Sequence, residues 1–150
     1  MPTLTIDGQE VTVDRGQTVL EAAQQIGVDI PTFCYHPGLS RPANCRMCLV
    51  ELEGRDPNRH PPKPIPACYT QAGDGMVVHT KSEKTQSMRK SVLEFILLNH
   101  PLDCPICDQA GECVLQDHYF NYSEQPSRLN MRKVHTAKAK VLGPDIVLDA

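Results

Sequence analysis

Large aromatic side chains are scarce in this chain of 150 residues. It has no tryptophan, and aromatic residues make up only 5% of it, although 40% of its residues are hydrophobic. Aromatic side chains normally supply much of the buried area of a small core. A chain of this length forms one ordinary domain or two small ones, and domains of about 70 to 80 residues usually need a bound metal or disulfides. The composition therefore favours a fold stabilised by more than apolar packing.

An excess of basic residues is also missing. The net charge is -3 and the isoelectric point is about 6.0, which argues against a nucleic-acid-binding surface. The basic residues are scattered, and their densest group is Arg132, Lys133, Lys138 and Lys140. We interpret this group as a solvated tail or a docking face.

Long hydrophobic runs are absent. The longest apolar run, Phe95–Leu98, is far too short to span a bilayer, which needs about 20 residues. The first sixteen residues alternate in polarity and lack both the basic and the apolar part of a signal peptide. We therefore expect neither a signal peptide nor a transmembrane segment, and any membrane association only through partners.

Cysteine, in contrast, is abundant, with seven residues. Cytosolic thiols are normally kept reduced, and an odd number cannot pair completely, so disulfides explain the cysteines poorly. Metal ligation is the leading explanation of their number.

The first 80 residues predict a β-grasp, which is a mixed sheet with one helix packed across it. The predicted elements are strands at 3–6 and 10–13 joined by a primed turn at Asp7-Gly8, a helix from the capping box Thr18–Glu21 to Gly27, a strand at 47–53, a proline-rich loop at 56–66, and strands at 65–69 and 76–80. The order of strand, strand, helix and further strands gives the expected topology.

The pattern changes after Ser82. Apolar residues recur at helical spacing up to Asn99, and His100 lies where Pro101 takes the chain out of the helix. A further helical turn is predicted from Cys113 to about Tyr119, and a strand at 141–148. We thus expect an α+β protein with two domains: a ferredoxin-like β-grasp at 1–80 and a small, mainly helical domain at 81–150.

Eight residues fall into two sets of metal-ligand spacing. The first set is Cys34, Cys45, Cys48 and Cys68, with ten, two and nineteen residues between successive members. It keeps the x₂ pair and the distant fourth cysteine of plant-type 2Fe–2S proteins, but its first gap is longer than their x₄.

The second set is His100, Cys104, Cys107 and Cys113, with three, two and five residues between successive members. Because these four residues lie close together in the sequence, the segment can wrap a 4Fe–4S cubane with one imidazole in place of a thiolate. Together the two sets use every cysteine.

Spacing alone leaves other kinds of site open. Zinc also binds Cys₄ and Cys₃His sites. A catalytic Cys–His pair is conceivable, but it would not explain two complete sets of four. We interpret His36 as a solvent-facing residue or one supporting the ligands. The remaining histidines, His60, His79, His118 and His135, are interpreted as surface or packing residues.

Two segments carry a family resemblance. Cys34-Tyr-His-Pro-Gly-Leu-Ser through Asn44-Cys-Arg-Met-Cys-Leu-Val-Glu51 resembles the 2Fe–2S loop of the large peripheral-arm (75-kDa-type, G) subunit of NADH:quinone oxidoreductase, respiratory complex I. Residues 99–117 resemble the His-ligated 4Fe–4S segment of the same subunit. The resemblance covers nearly the whole chain. The proline-rich insert near 54–64 and the end at Ala150, before a further cluster segment, depart from the family pattern.

The resemblance implies a specific function. Cys34, Cys45, Cys48 and Cys68 would hold a 2Fe–2S cluster, and His100, Cys104, Cys107 and Cys113 a 4Fe–4S cluster. The chain would relay single electrons from a flavin-bearing, NADH-oxidising subunit toward quinone, as a peripheral subunit on the cytoplasmic side of the plasma membrane. The sequence contains neither a G-x-G-x-x-G motif after a strand nor a P-loop, so nothing in it indicates that the chain binds nucleotide itself. Two alternatives are a diaphorase-type subunit of an NAD-linked hydrogenase or formate dehydrogenase, and a zinc-stabilised interaction module.

Overall fold

A computed structural model describes residues 1–53, 61–123, 126–134 and 140–148. The strands are β1 (Thr3–Ile6), β2 (Gln9–Thr12), β3 (Leu49–Leu52), β4 (Lys63–Pro66), β5 (Val77–His79), β6 (Lys140–Gly143) and β7 (Ile146–Leu148). The helices are α1 (Val19–Gln25), α2 (Glu83–Leu97) and α3 (Val114–Tyr122), with a 3₁₀ turn at Cys104–Ile106.

Five strands form one mixed sheet in the order β2-β1-β5-β3-β4. β1 and β5 run parallel, and the other pairs are antiparallel. The apolar face of α1 joins the sheet in the main core, whose buried members include Leu4, Ile6, Val19, Leu20, Ala22, Ala23, Val50 and Val78. This mixed sheet with its crossing helix confirms the α+β fold.

The predicted hairpin and helix start are confirmed. Asp7 and Gly8 have φ angles of 49° and 85°, the two left-handed residues that a type I′ turn requires. At the start of α1, the Thr18 hydroxyl accepts from the Glu21 N–H at 3.3 Å, and the Glu21 carboxylate accepts from the Thr18 N–H at 2.7 Å. This capping box satisfies two N–H groups that helix geometry leaves without partners.

The fourth strand differs from the prediction. β4 spans Lys63–Pro66, whereas the sequence predicted a loop to residue 66 and a strand at 65–69. The Ala67 N–H donates to the Cys48 carbonyl, so by alternation the N–H of Ile65 also faces β3. Pro64 and Pro66 then face outward from an edge strand, where a missing N–H costs nothing. Residues 56–60 of the predicted loop lie outside the described residues.

The second half of the chain is mainly helical. α2 begins where predicted, with the Ser82 hydroxyl accepting from the Thr85 N–H at 3.2 Å, and α3 extends the predicted turn to Tyr122. Residues 141–148, predicted as one strand, form instead the antiparallel pair β6 and β7, separate from the main sheet.

The inner face of α2 is formed by Thr85, Arg89 and Leu93, which are all buried. This helix packs against β3 and α3. Across the described ranges, no helix has the length and apolar character needed to cross a membrane.

Candidate metal centres

The first ligand set gathers at the edge of the sheet formed by β3 and β4. Cys34 lies in the long loop after α1, Cys45 and Cys48 lie at the end of that loop before β3, and Cys68 follows β4. Cys48 and Cys68 are each only 1% exposed, whereas Cys34 and Cys45 are half-buried. Because the bond from Ala67 to Cys48 continues the β3–β4 ladder, it fixes the two buried cysteines next to each other.

The four thiols share one electrostatic site. Burial raises the pKa of Cys68 to about 12, and a hydrogen bond with Cys48 and the charges of Cys48, Cys34 and Cys45 act in the same direction. So many sulfurs cannot all be thiolates in so small a space without a positive centre among them. Bound iron supplies such a centre, since a coordinating thiol is deprotonated outright. The donor set therefore fits an iron–sulfur cluster.

Backbone amides are directed at the sulfur of Cys34. Burial opposes ionisation of this thiol, but hydrogen bonds from the Cys45 backbone and thiol, and from the amides of Asn44 and Cys34 itself, outweigh it and lower the pKa of Cys34. The loop is tightened by left-handed backbone at Ala43 and Arg46, with φ angles of 53° and 61°. Amide donors aimed at a ligand sulfur are one means by which proteins set cluster potentials.

Arg46 lies next to Cys45 in the sequence, a position from which a cation can offset the negative charge of a cluster. In the structure its side chain is exposed, and its guanidinium donates to the Ala43 carbonyl at 3.3 Å. The Arg46 side chain therefore bonds to the backbone of its own loop.

The second ligand set lines one cavity. His100, Cys104, Cys107 and Cys113 all border a space of about 800 Å³. The 3₁₀ turn and the next turn carry the chain around it, with the Cys107 N–H donating to the Cys104 carbonyl at 3.3 Å. The apolar residues Leu97, Leu102, Ile106, Leu115 and Phe120 line the same cavity. A roomy, mostly apolar cavity bordered by three thiols and an imidazole fits a cubane cluster.

The segment 126–134 borders the same cavity and contacts the C-terminal end of α2. Lys133 donates from Nζ to the Leu97 carbonyl at 2.5 Å and to the Leu98 carbonyl at 3.4 Å. A cation there complements the negative end of the helix. The sequence predicted a solvated tail or docking face for the basic group, but Lys133 lines the cavity and bonds to α2. Lys138 lies outside the described residues.

The remaining histidines have local partners. Nδ1 of His36 accepts from the Gly38 N–H at 3.1 Å, and His79 contacts Glu53 at 3.3 Å. His60 and His135 lie outside the described residues. In the part of the chain that the structure describes, no three His, Cys, Asp or Glu side chains meet closely enough to hold a single metal ion.

The loop before the first ligand set contacts the helix after the second, which the sequence did not reveal. Nε2 of His118 on α3 lies 3.2 Å from the Thr32 carbonyl, and its ring packs edge-on against Phe33 at 4.8 Å. The Tyr122 hydroxyl donates to Asp29 at 3.1 Å. α3 begins just after Cys113, and the 29–33 loop leads directly into Cys34. These partners lie more than 80 residues apart, so no local pattern could have paired them.

Comparison with known proteins defines the class of protein. Residues 1–83 match the family model described as a 2Fe-2S iron-sulfur cluster binding domain, and the chain belongs to that family. Residues 89–127 match a second model, the NADH-ubiquinone oxidoreductase-G iron-sulfur binding region, of the 4Fe–4S type. The two cofactors predicted from the sequence, a 2Fe–2S and a 4Fe–4S cluster, are thereby confirmed.

The particular relatives are G-type subunits of NADH–quinone oxidoreductases. The chain is 50% identical over 141 residues to the G-type subunit of NADH-quinone oxidoreductase from Rickettsia bellii, covering 94% of this chain and 20% of the relative. It is 46% identical to the second G-type subunit of Rhizobium meliloti, over 97% of this chain and 16% of the relative. It is 44% identical to the NADH-ubiquinone oxidoreductase 75 kDa subunit of Reclinomonas americana, over 96% and 20%. The chain thus spans about a fifth of the length of these relatives, and the resemblance predicted from the sequence is confirmed.

A solved structure is also similar. A chain of an NAD⁺-reducing [NiFe]-hydrogenase in the H₂-reduced state superposes with a TM-score of 0.77 at 31% identity, covering 91% of this chain and 55% of that chain. Its similarity supports the α+β architecture described above.

Proposed function

We propose that this chain is an iron–sulfur electron-transfer subunit, or part of one, of an NADH–quinone oxidoreductase. It relays single electrons from a flavin-bearing, NADH-oxidising subunit toward quinone. The observation that carries this proposal is the presence, in one chain, of two sets of four cysteine and histidine residues that lie within the two matched iron–sulfur regions.

The proposed ligands are those of the two spacing patterns. Cys34, Cys45, Cys48 and Cys68 hold the 2Fe–2S cluster in a unit spanning 1–80, and His100, Cys104, Cys107 and Cys113 hold the 4Fe–4S cluster in a unit spanning 81–150. When bound, the clusters supply one-electron redox centres. The chain itself supplies thiolates from the sheet edge and amide donors at Cys34. It also supplies the apolar side chains that line the second cavity.

The proposed partners are the other subunits of the complex. The matched relatives are named as subunits of NADH–quinone oxidoreductases. A flavin-bearing subunit on the electron-donating side, and a peripheral position on the cytoplasmic face of the membrane, complete the proposal.

A diaphorase-type subunit of an NAD-linked hydrogenase is the second candidate. The hydrogenase similarity favours it, but at 31% identity, against 44% and 50% for the oxidoreductase subunits. The products of neighbouring genes separate the two: quinone-reducing membrane subunits support the first, and a nickel–iron hydrogenase the second.

The first test measures iron, acid-labile sulfide and the EPR spectrum of the dithionite-reduced protein purified without oxygen. We expect about six irons and six sulfides per chain and two distinct reduced-cluster signals. Zinc without sulfide, together with failed reconstitution from iron and sulfide, would support the zinc-stabilised interaction module instead.

Serine substitutions then test the ligands and the two units. Cys68→Ser should remove or alter only the 2Fe–2S signal, and Cys107→Ser only the 4Fe–4S signal. Loss of both signals in either variant, with the fold retained by circular dichroism, would contradict independent ligand sets.

A further inference from the structure

α2 places an arginine at the centre of its buried face. Arg89 is 4% exposed and lies one turn from Thr85 and one turn from Leu93, both fully buried. Its Nε and Nη2 atoms are buried and have no hydrogen-bond partner among the residues that the structure describes. A guanidinium stays charged in proteins, and a buried charge without a partner is strongly unfavourable. A negative group close to the guanidinium would therefore stabilise Arg89 in this position.

The neighbouring side chains meet this need only in part. The Tyr122 ring lies 5.3 Å from the guanidinium carbon, close enough for a cation–π contact. Two carboxylates lie within electrostatic range, but each has another donor: Asp29 accepts from the Tyr122 hydroxyl, and Asp7 accepts from the Thr80 N–H at 2.7 Å.

Cys48 is the remaining ionisable group within electrostatic range of Arg89. Burial lowers the pKa of Arg89, while the charges of Tyr122, Asp29, Asp7 and Cys48 act in the opposite direction. The packing agrees, because α2 lies against β3, whose first residue directly follows Cys48. Cys48 is itself 1% exposed. The buried Arg89 guanidinium therefore lies within electrostatic range of Cys48, a buried member of the first ligand set.

We propose that Arg89 is the internal counter-charge of the first cluster and raises its reduction potential. This inference rests on the proposed ligation of a 2Fe–2S cluster by Cys34, Cys45, Cys48 and Cys68. Reduction adds one negative charge to the cluster. A fixed positive charge in a region of low dielectric stabilises the reduced form more than the oxidised form. Arg89 thus makes the first cluster a better electron acceptor, and it does so from the unit that carries the second cluster.

The test is an EPR-monitored redox titration of the anaerobically purified protein with both clusters bound. Arg89→Met removes the charge and keeps much of the side-chain volume, and Arg89→Lys keeps the charge. Lys90→Met is the matched control, because it removes one positive charge from the neighbouring exposed position on the same helix.

We expect Arg89→Met to shift the 2Fe–2S midpoint potential to lower values, by more than any shift of the 4Fe–4S potential. Arg89→Lys should retain most of the wild-type value, and Lys90→Met should match the wild type. The shift should also persist at high salt, because buried charges are poorly screened.

Two results would overturn the proposal: an unchanged 2Fe–2S potential in Arg89→Met, or equal shifts in the methionine and lysine variants, which would indicate a packing role. If Arg89→Met does not fold, a wild-type potential in a folded Arg89→Gln variant would overturn it equally. A wild-type protein without a 2Fe–2S signal would instead refute the proposed function itself.

Discussion

His100 is the one neutral member of the proposed ligand sets. It lies just past the end of α2, with its N–H donating to the Leu97 carbonyl at 3.3 Å, and its side chain borders the second cavity. An imidazole in place of a thiolate leaves the cluster site less negative, which favours the reduced state. The identity of this single residue should therefore be visible in the redox behaviour of the second cluster.

We predict that His100→Cys keeps a 4Fe–4S cluster but lowers its reduction potential, because a neutral ligand becomes an anionic one. Redox titration followed by EPR measures the shift. His79→Cys is the control, since it adds a cysteine at a histidine that pairs with Glu53 on the sheet, and it should leave the potential unchanged. A potential that stays constant or rises in His100→Cys would contradict ligation by His100.

Residues differ in how far the sequence reveals their roles. The eight candidate ligands are visible because the two sets of spacing account for every one of the seven cysteines and add one histidine. Arg89 is not, because arginine is normally exposed and nothing in the helical pattern marks it as buried. Its role follows only from the packing of α2 on β3 and α3, which depends on contacts distant in sequence.

At the scale of elements, α2 connects the two proposed units. Its fully buried side chains follow a single stripe, while Phe95 on another face is 77% exposed. The apolar spacing predicted the helix correctly, but which face turns inward depends on the sheet it meets. β4 shows the same limit: two prolines made the segment look like a loop, and only its edge position accommodates them.

We expect Leu93→Ala to destabilise the protein by about 2 to 5 kcal/mol, because it leaves a cavity where α2 meets its neighbours. Phe95→Ala is the matched control on the same helix and should change the free energy of unfolding by less than about 0.5 kcal/mol. Anaerobic urea unfolding of the cluster-loaded protein, followed by circular dichroism, measures both. Equal losses in the two variants would show that the buried stripe is misassigned.

At the scale of the whole molecule, apolar burial is unevenly distributed. The main core cluster runs from Leu4 to Val78, and among the residues at 81–123, 126–134 and 141–146 only Leu93 is a buried hydrophobic side chain. The sheet unit has a core of its own, whereas the region around the second cavity has very little. The stability of residues 98–123 must therefore come largely from the bound cluster and from contacts such as that of His118 with Thr32.

This asymmetry predicts an unequal response to cluster removal. In protein stripped of iron by a chelator, amide hydrogen exchange should become fast across residues 98–123 but stay slow in β1, α1 and β3, because these elements share a continuous core of buried apolar side chains. Mass spectrometry of peptides from the loaded and stripped protein measures the difference. Cys107→Ser, which should lose only the second cluster, serves as the control and should show fast exchange in the same region while the first cluster remains bound. Uniform loss of protection in the stripped protein would instead mean that the sheet also needs its cluster to fold. In that case the apolar core of the first unit would be too small to keep the sheet folded alone, and its four cysteines would be needed to bind a stabilising cluster.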